Sequence, residues 1–176
     1  MRGMAADTAE DAPDLTSGAL DVPVAVRWTD LDAYGHVNNA AMVRLLEEAR
    51  IAAFWQPSAE QLALGAPAPA AALPVSGAGS SLSTVIASQR IEYARSLDHR
   101  RDGVVVRLWL SRIGGASLGV DYLVLTRDDP QGEAPYARAR TVVVLVDADT
   151  GSPMRLDAET RQTLERFAGA PLRFRD

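Results

Sequence analysis

Apolar residues recur at steps of three and four positions across residues 40–55, the period of an α-helix with one buried face. The apolar set is Met42, Leu45, Leu46, Ala49, Ala52 and Ala53. The charged residues of this segment fall largely outside that face. Asn38 or Asn39 stands where the N-cap of such a helix belongs. The pattern therefore predicts one long amphipathic helix over 40–55.

Five other segments alternate between two sets of side chains, as half-buried strands do. They are residues 22–28, 84–94, 104–111, 118–126 and 138–146. Short turns connect the last four segments, and short turns favour antiparallel neighbours. A shorter helix is predicted over 157–167, with Leu164 and Phe167 as its buried residues. A long apolar helix beside such a sheet has to bury its face against the sheet.

Two segments lack these patterns. Residues 1–21 carry five acidic side chains among small residues, which predicts a mobile acidic tail before a single domain over 22–176. Residues 56–83 are rich in Ala, Pro, Gly and Ser, which predicts a long loop with one helical turn capped by Ser58. Two interpretations of this loop are open, a wall of a substrate site and a variable insertion.

The composition narrows the classes of function. A net charge of −5 argues against a protein held mainly to nucleic acid or to an anionic membrane. No apolar run reaches the roughly 20 residues of a membrane span, and no signal peptide is visible, so a cytoplasmic location is expected. There is no cysteine and there are only two histidines, which disfavours a zinc site. Neither a metal nor a cofactor is therefore expected.

The most informative segment lies directly before the long helix and reads D-x-D-x-x-G-H-V-N-N from Asp30 to Asn39. A helix N-terminus presents free N–H groups and partial positive charge, which suit an oxygen that becomes negative during a reaction. A carboxylate just upstream supplies a base or a nucleophile. These local features are compatible with acyl-transfer chemistry, but by themselves they favour a solvated acidic loop followed by an ordinary cap.

The same segment, together with L-x-E-A-R in the helix, resembles the hotdog-fold thioesterases. The nearest groups are the 4-hydroxybenzoyl-CoA thioesterase family and the bacterial long-chain acyl-CoA thioesterases. The resemblance implies an α+β hotdog fold, in which a five-stranded antiparallel sheet wraps around one long central helix, here with a short C-terminal helix. It also implies hydrolysis of an acyl-CoA or acyl-carrier-protein thioester by a homodimer or a dimer of dimers.

The resemblance assigns the catalytic positions. Asp32 falls at the acidic position of the family, where the carboxylate either attacks the thioester carbonyl or activates water, and the sequence leaves both roles open. Asp30 is expected to hold the loop. Asn39 is expected to stabilise the oxyanion through its main-chain N–H, and Asn38 is the expected cap. His36 is a further catalytic candidate, with orientation of the loop or contact with substrate as alternatives.

Substrate-binding roles are expected for Tyr34, Gly35, Asn38 and Arg112. Tyr34 stands where plant-type acyl-carrier-protein thioesterases have Asn in a related D-x-N-x-H-V-N-N run, which argues against their Asn–His mechanism. Arg112 precedes a Gly-Gly-Ala turn that matches a basic cluster in some family members, and it is the candidate for a coenzyme A phosphate.

Three alternatives remain at this point. The chain could be a non-catalytic acyl-CoA-binding or regulatory hotdog protein, or a hotdog dehydratase that uses a histidine. Another branch of hotdog thioesterases uses a helix glutamate, which Glu47 or Glu48 could supply, although both are more simply interpreted as the polar edge of the helix.

Overall fold

The computed structural model describes residues 18–65, 69, 73–76 and 81–175, with only the backbone described for 73–76. In chain order the elements are β1 (Leu20–Val24), one 3-10 turn (Trp28–Asp30), α1 (Asn39–Phe54), β2 (Trp55–Gln56), α2 (Ala59–Ala63), β3 (Leu73–Ser76), β4 (Leu82–Tyr93), β5 (Val104–Ile113), β6 (Ser117–Leu125), β7 (Ala137–Asp147) and α3 (Ala158–Glu165). Residues 1–17 of the predicted tail lie outside the described residues.

Five strands form one antiparallel sheet in the order β1-β5-β6-β7-β4. The helix α1 packs against one face of this sheet, called the inner face, and their buried residues form one core. The predicted α+β hotdog fold, with a central helix and a short C-terminal helix, is therefore confirmed. The four predicted strands after residue 83 and both predicted helices agree with the structure to within a few residues.

The buried face of α1 differs from the predicted one at four positions. Ala41 and Phe54 are buried in addition to the predicted set, and Ala52 is exposed. Arg50, which the pattern places largely outside the apolar face, is also buried. Arg50 donates a hydrogen bond from Nη1 to the hydroxyl group of Tyr122 at 3.3 Å and lies 3.4 Å from Glu47. Burial is possible here because β6 supplies a polar group at the point where the guanidinium meets the sheet.

The first strand and the tail boundary differ from the prediction. The strand covers Leu20–Val24 rather than 22–28, so the last two residues of the predicted tail 1–21 are part of the sheet. The carboxylate of Asp21 accepts two hydrogen bonds from Arg107, both at 2.7 Å. An acidic residue that looks solvated in the local sequence is thus paired with an arginine 86 positions away. Residues 28–30 form a 3-10 turn, so Trp28 is not part of the strand.

Two further departures concern β4 and the long loop. A bulge between Ile86 and Ser88 shifts the register of β4 against β7, so Val85 does not share the inner face with Gln89 as the alternation predicted. In the loop, α2 is capped by Ser58 as predicted. The pairing of the two short strands β2 and β3 was not predicted, and the rest of the loop lies largely outside the described residues.

Residues 167–175, called the outer-face segment, cross the outer face of the sheet, which lies away from α1. It begins at Phe167, whose carbonyl oxygen accepts a hydrogen bond from the N–H of Leu110 in β5. It ends near β4, where the N–H of Arg175 donates to Glu92 at 2.8 Å. Between these points it covers a second small apolar cluster that contains Trp109, Leu123 and Leu125. The sequence pattern predicted no such cover after the last helix.

Candidate active site

The D-x-D segment forms a compact turn that is anchored by Asp30. Its carboxylate is buried and accepts a hydrogen bond from the N–H of Arg27 at 2.8 Å. Its carbonyl oxygen accepts from the N–H of Asn38 at 2.8 Å, and Arg44 of α1 lies 3.6 Å from the carboxylate. Asp30 therefore fixes both ends of the turn to the start of the helix, which agrees with the structural role predicted for it.

Asp32 is half-buried and uses only one of its carboxylate oxygens in the turn. Its Oδ1 accepts hydrogen bonds from the N–H groups of Tyr34 at 2.8 Å and His36 at 3.2 Å. Gly35 closes the turn with a φ of +82°, a conformation that glycine adopts without steric cost. No hydrogen bond among the described residues uses Oδ2. The turn thus holds the carboxylate in place and leaves one oxygen free to act.

The N-terminus of α1 follows directly. Asn38 is the N-cap, as predicted, and its side chain accepts from the N–H of Ala40 at 2.8 Å. The side-chain oxygen of Asn39 accepts from the same N–H at 2.8 Å. The N–H of Asn39 itself is used in no hydrogen bond within the described part of the chain. A sixteen-residue helix therefore starts with a main-chain donor that is available to a ligand.

These groups line a cavity of about 640 Å³ at the end of the sheet. One wall comes from the turn and the helix start: Asp32, His36, Val37, Asn38, Asn39 and Met42. The opposite wall comes from the end of β4 and the residues after it: Tyr93, Ala94, Arg95, Ser96 and Leu97. The walls are joined where the N–H of Val37 donates to the carbonyl oxygen of Leu97 at 2.7 Å.

The second wall was missed in the sequence. Tyr93 donates from its hydroxyl group to the carbonyl oxygen of Asn39 at 3.4 Å, and partial burial raises the pKa of this tyrosine. Alternation along residues 84–94 puts Tyr93 on the same face as Ile91, which was a usable signal. No local pattern marked Arg95 or Ser96, because their proximity to the helix start depends on a contact between distant segments.

The structure brings together four of the seven predicted site residues, namely Asp32, His36, Asn38 and Asn39. His36 lies with Nε2 3.5 Å from Asp98. Tyr34 is 85% exposed and does not line the cavity, and neither does the adjacent Gly35. Their substrate-binding roles remain predictions.

Arg112 lies apart from these residues. It pairs with Gly119 in β6 and lines a different cavity of about 240 Å³, which also includes Pro171 of the outer-face segment. Gly119 pairs in turn with Val142 of β7, so Arg112 is level with Val142. Tyr93, at the first cavity, pairs with Ala137, which lies five residues away on the same strand β7. At about 3.3 Å per residue the separation along the strand is roughly 17 Å. Within one chain Arg112 therefore does not reach the first cavity.

The glutamates of α1 point to other partners. Glu48 pairs with Arg27 at 2.9 Å and Glu47 with Arg50 at 3.4 Å, and neither lines the cavity. The described ranges contain no group of three or more His, Asp or Glu side chains that could hold a metal ion. None of the helices in the same ranges has the length and apolar character of a membrane span.

Comparisons with known proteins identify the family of the chain. A sequence model described as the thioesterase-like superfamily matches residues 26–164. The uncharacterized protein YsmA of Bacillus subtilis (strain 168) is 27% identical over 151 residues, which cover 85% of this chain and 87% of YsmA.

Two solved structures extend the comparison. A thioesterase from Thermus thermophilus, crystallised with coenzyme A and zinc, is 28% identical, and the match covers 86% of this chain and 96% of that one with a TM-score of 0.59. The PA5185 protein of Pseudomonas aeruginosa strain PAO1 is 20% identical with a TM-score of 0.65, and the match covers 86% of this chain and 94% of that one. At this identity the second likeness concerns the fold alone.

Proposed function

Since this chain belongs to the thioesterase-like superfamily, we propose that it hydrolyses the thioester bond of an acyl-CoA or acyl-carrier-protein substrate to a free acid and a thiol. One observation carries the proposal. Asp32, whose half-buried carboxylate has one oxygen unused, and Asn39, whose main-chain N–H is unused, line the same cavity. A carboxylate and an oxyanion donor are the two groups that acyl transfer requires.

The proposed reaction begins at the thioester carbonyl carbon. Either Oδ2 of Asp32 attacks this carbon, or it removes a proton from a water molecule that attacks it. In both routes the carbonyl oxygen becomes negative and accepts a hydrogen bond from the N–H of Asn39. Collapse of the tetrahedral intermediate breaks the C–S bond and releases the thiolate, which takes up a proton. In the first route water then hydrolyses the mixed anhydride and regenerates Asp32.

His36 has a supporting role in this proposal. Its main-chain N–H binds Asp32, its carbonyl oxygen accepts from the N–H of Asp32 at 2.8 Å, and its ring lies 3.5 Å from Asp98. The residue therefore connects the catalytic turn to the segment that follows β4. We assign it to the positioning of Asp32 and to contact with substrate.

The proposed assembly is a homodimer through β4. This strand is at the edge of the sheet, and its apolar side chains Val85 and Ile86 are exposed in the single chain. Exposed apolar edges are normally covered in folded proteins. Arg112 does not reach the cavity of its own chain, so its role in binding a phosphate is proposed only for an assembly of chains.

A non-catalytic binding protein is the second candidate. It is favoured by the hydrogen bonds to Oδ1 of Asp32, which are those of an ordinary turn-forming aspartate. Such a protein would bind the same thioesters without cleaving them.

Thiol release separates the two candidates. Short, long and aromatic acyl-CoAs are offered to the wild type, to Asp32→Asn and to a control, Asp149→Asn, which alters an exposed aspartate in the turn after β7. Because the chain has no cysteine, a thiol-reactive dye detects only the released thiol. Asparagine keeps the Oδ1 acceptor, so the turn is retained.

The expected result is turnover by the wild type and the control, with a loss of about a hundredfold or more in Asp32→Asn. Equal turnover by all three proteins would overturn the assignment of Asp32. Binding without turnover by the wild type would establish the second candidate.

A further inference from the structure

We propose that Arg95 is the anion-binding residue of this cavity, and that it takes a negatively charged group of the thioester substrate. The group is either a phosphate of the thiol carrier or a carboxylate on the acyl part. This inference rests on the proposed function, because it names a feature of the substrate for the same site.

The guanidinium group of Arg95 is held in place before any ligand binds. It lies 3.8 Å above the ring centroid of Tyr136, and its Nη2 donates to the carbonyl oxygen of Ala134 at 2.5 Å. The main-chain N–H groups of Ala94 and Arg95 both donate to the carbonyl oxygen of Tyr136. Stacking and hydrogen bonding therefore fix a side chain that would otherwise lose much rotamer freedom on binding a ligand.

Arg95 has no acidic partner among the described residues. Seven other arginines each lie within 4.0 Å of a carboxylate, namely Arg27, Arg44, Arg50, Arg90, Arg100, Arg107 and Arg140. Arg95 lines the same cavity as Asp32, and no carboxylate of the described residues lies close enough to neutralise its charge. Its remaining N–H groups make no hydrogen bond within the described part of the chain, so its donors are available for a bidentate contact with an oxyanion.

The location of Arg95 is close to the reacting centre. It stands two residues from Tyr93, which contacts Asn39, and two residues from Leu97, which contacts Val37. At about 3.3–3.6 Å per residue, its Cα lies within about 7 Å of either neighbour's Cα. The backbone of Arg95 is therefore close to the start of α1, and the residue lines the same cavity as Asp32 and Asn39.

Because Arg95 is close to the reacting centre, a phosphate of the carrier and a carboxylate of the acyl group reach it in different ways. Thirteen bonds separate the sulfur of coenzyme A from its nearest phosphorus, roughly 16 Å when extended at ordinary bond lengths. A carrier phosphate reaches Arg95 when the arm bends back or when the guanidinium meets it at the cavity entrance. A carboxylate a few bonds from the thioester carbonyl reaches it directly. In both cases the cation offsets repulsion between the substrate anion and Asp32.

Four substrates distinguish these sources. They are a neutral acyl-CoA, an acyl-CoA of equal length that ends in a carboxylate, and the N-acetylcysteamine thioester of each acyl group, which lacks all phosphates. The proteins are the wild type, Arg95→Gln, Arg95→Lys and a control, Arg101→Gln, which changes an arginine at a separate cavity. The readout is kcat/KM with its separate kcat and KM values.

If the anion is a phosphate, Arg95→Gln lowers kcat/KM on both CoA substrates by about tenfold or more, mostly through KM, and leaves both truncated thioesters unchanged. If it is an acyl carboxylate, the loss occurs on both carboxylate-bearing substrates and on neither neutral one. In either case Arg95→Lys recovers part of the loss because it keeps the charge, and Arg101→Gln behaves like the wild type. Equal losses on all four substrates, or no loss on any, would overturn the proposal.

A failure of the proposed thioesterase function can be distinguished from a failure of the proposed anion site. If the wild type cleaves none of the four thioesters, calorimetry then measures the Kd of coenzyme A and of the carboxylate-bearing acyl-CoA. Weaker binding to Arg95→Gln than to Arg101→Gln, by about tenfold, supports the anion site without turnover. Equal Kd values for the two variants, or no binding by the wild type, contradict it.

Discussion

The hydroxyl group of Tyr93, at the end of β4, lies 3.4 Å from the carbonyl oxygen of Asn39, the first residue of α1. This long hydrogen bond links the two walls of the cavity at the residue whose N–H is proposed to bind the oxyanion. Tyr93→Phe removes only the hydroxyl group, whereas Tyr93→Ala also removes the ring from the cavity wall. We expect a loss of less than about threefold in kcat/KM for Tyr93→Phe and more than about tenfold for Tyr93→Ala.

Steady-state kinetics on one acyl thioester measures both variants, with thermal unfolding as the check on folding. A Tyr93→Phe variant that loses a hundredfold would show that the hydroxyl group takes part in the reaction, which the account does not include.

The outer-face segment depends on Asp121, which is fully buried. Its carboxylate accepts two hydrogen bonds from Arg140, both at 2.6 Å, one from the hydroxyl group of Ser111 at 2.8 Å and one from the N–H of Leu172 at 2.7 Å. Asp121→Asn removes the charge and leaves Arg140 partly buried without its counter-ion. We expect the free energy of unfolding to fall by about 2–4 kcal/mol, somewhat less than for a pair buried on both sides.

Urea unfolding measures this loss, with Asp149→Asn as a control that makes the same chemical change at an exposed turn. A decrease below about 0.5 kcal/mol, the range of ordinary surface substitutions, would mean that the segment does not depend on the Asp121 carboxylate.

Alkaline pH is expected to destabilise the fold through Tyr122. Burial raises the pKa of this hydroxyl above its ordinary value, and the neighbouring Arg50 only partly opposes that effect. A raised folded-state pKa means that the stabilisation is fully present below the unfolded-state pKa and is lost as pH rises through the folded value. The free energy of unfolding should therefore fall above about pH 10, the ordinary tyrosine pKa.

Denaturant titrations between pH 8 and pH 11 test this dependence in the wild type and in Tyr122→Phe, which cannot ionise. The phenylalanine variant should have the shallower slope above pH 10. Parallel slopes would assign the alkaline sensitivity to other groups.

The exposed edge at β4 predicts self-association. Val85 and Ile86 lie on opposite faces of that strand, and both are exposed in the single chain. The double variant Val85→Glu/Ile86→Glu places charge on both faces of the proposed interface and should shift the protein to a monomer. Light scattering after size exclusion gives the mass, with Leu64→Glu as a control at an exposed residue after α2. A wild type that is already monomeric would contradict the proposed assembly.

The core of the fold was predictable because its signals are local. The apolar period of α1 and the alternation of β7, in which Ala139, Thr141, Val143 and Leu145 are all buried, depend on neighbouring residues only. The turn around Asp32 was equally readable, since the bonds to Tyr34 and His36 are made within five residues.

The parts of the fold and of the candidate site that the sequence did not predict depend on contacts between distant segments. The pairing of Asp21 with Arg107 and the path of the last nine described residues have no periodic signature in the sequence. The wall from Tyr93 to Leu97 reaches the helix start only through the fold of the sheet. Arg112 looked suitable in the linear order of the motifs, but the strand register places it about five residues farther along the sheet, on the outer face.

The most direct test of the account concerns the N–H of Asn39, the first residue of α1. Proline at this position removes the N–H and suits the first helical turn, and Asn38 before it already has the extended conformation that a following proline requires, with φ −61° and ψ 145°. Asn39→Ala removes the side chain but keeps the N–H.

The measurement is kcat for the best acyl thioester with both variants, together with thermal unfolding of each. If the helix N-terminus stabilises the oxyanion, Asn39→Ala stays within a few-fold of the wild type, and folded Asn39→Pro loses about a hundredfold to a thousandfold, the usual effect of losing one such donor. A folded Asn39→Pro with the kcat of Asn39→Ala would contradict the central claim.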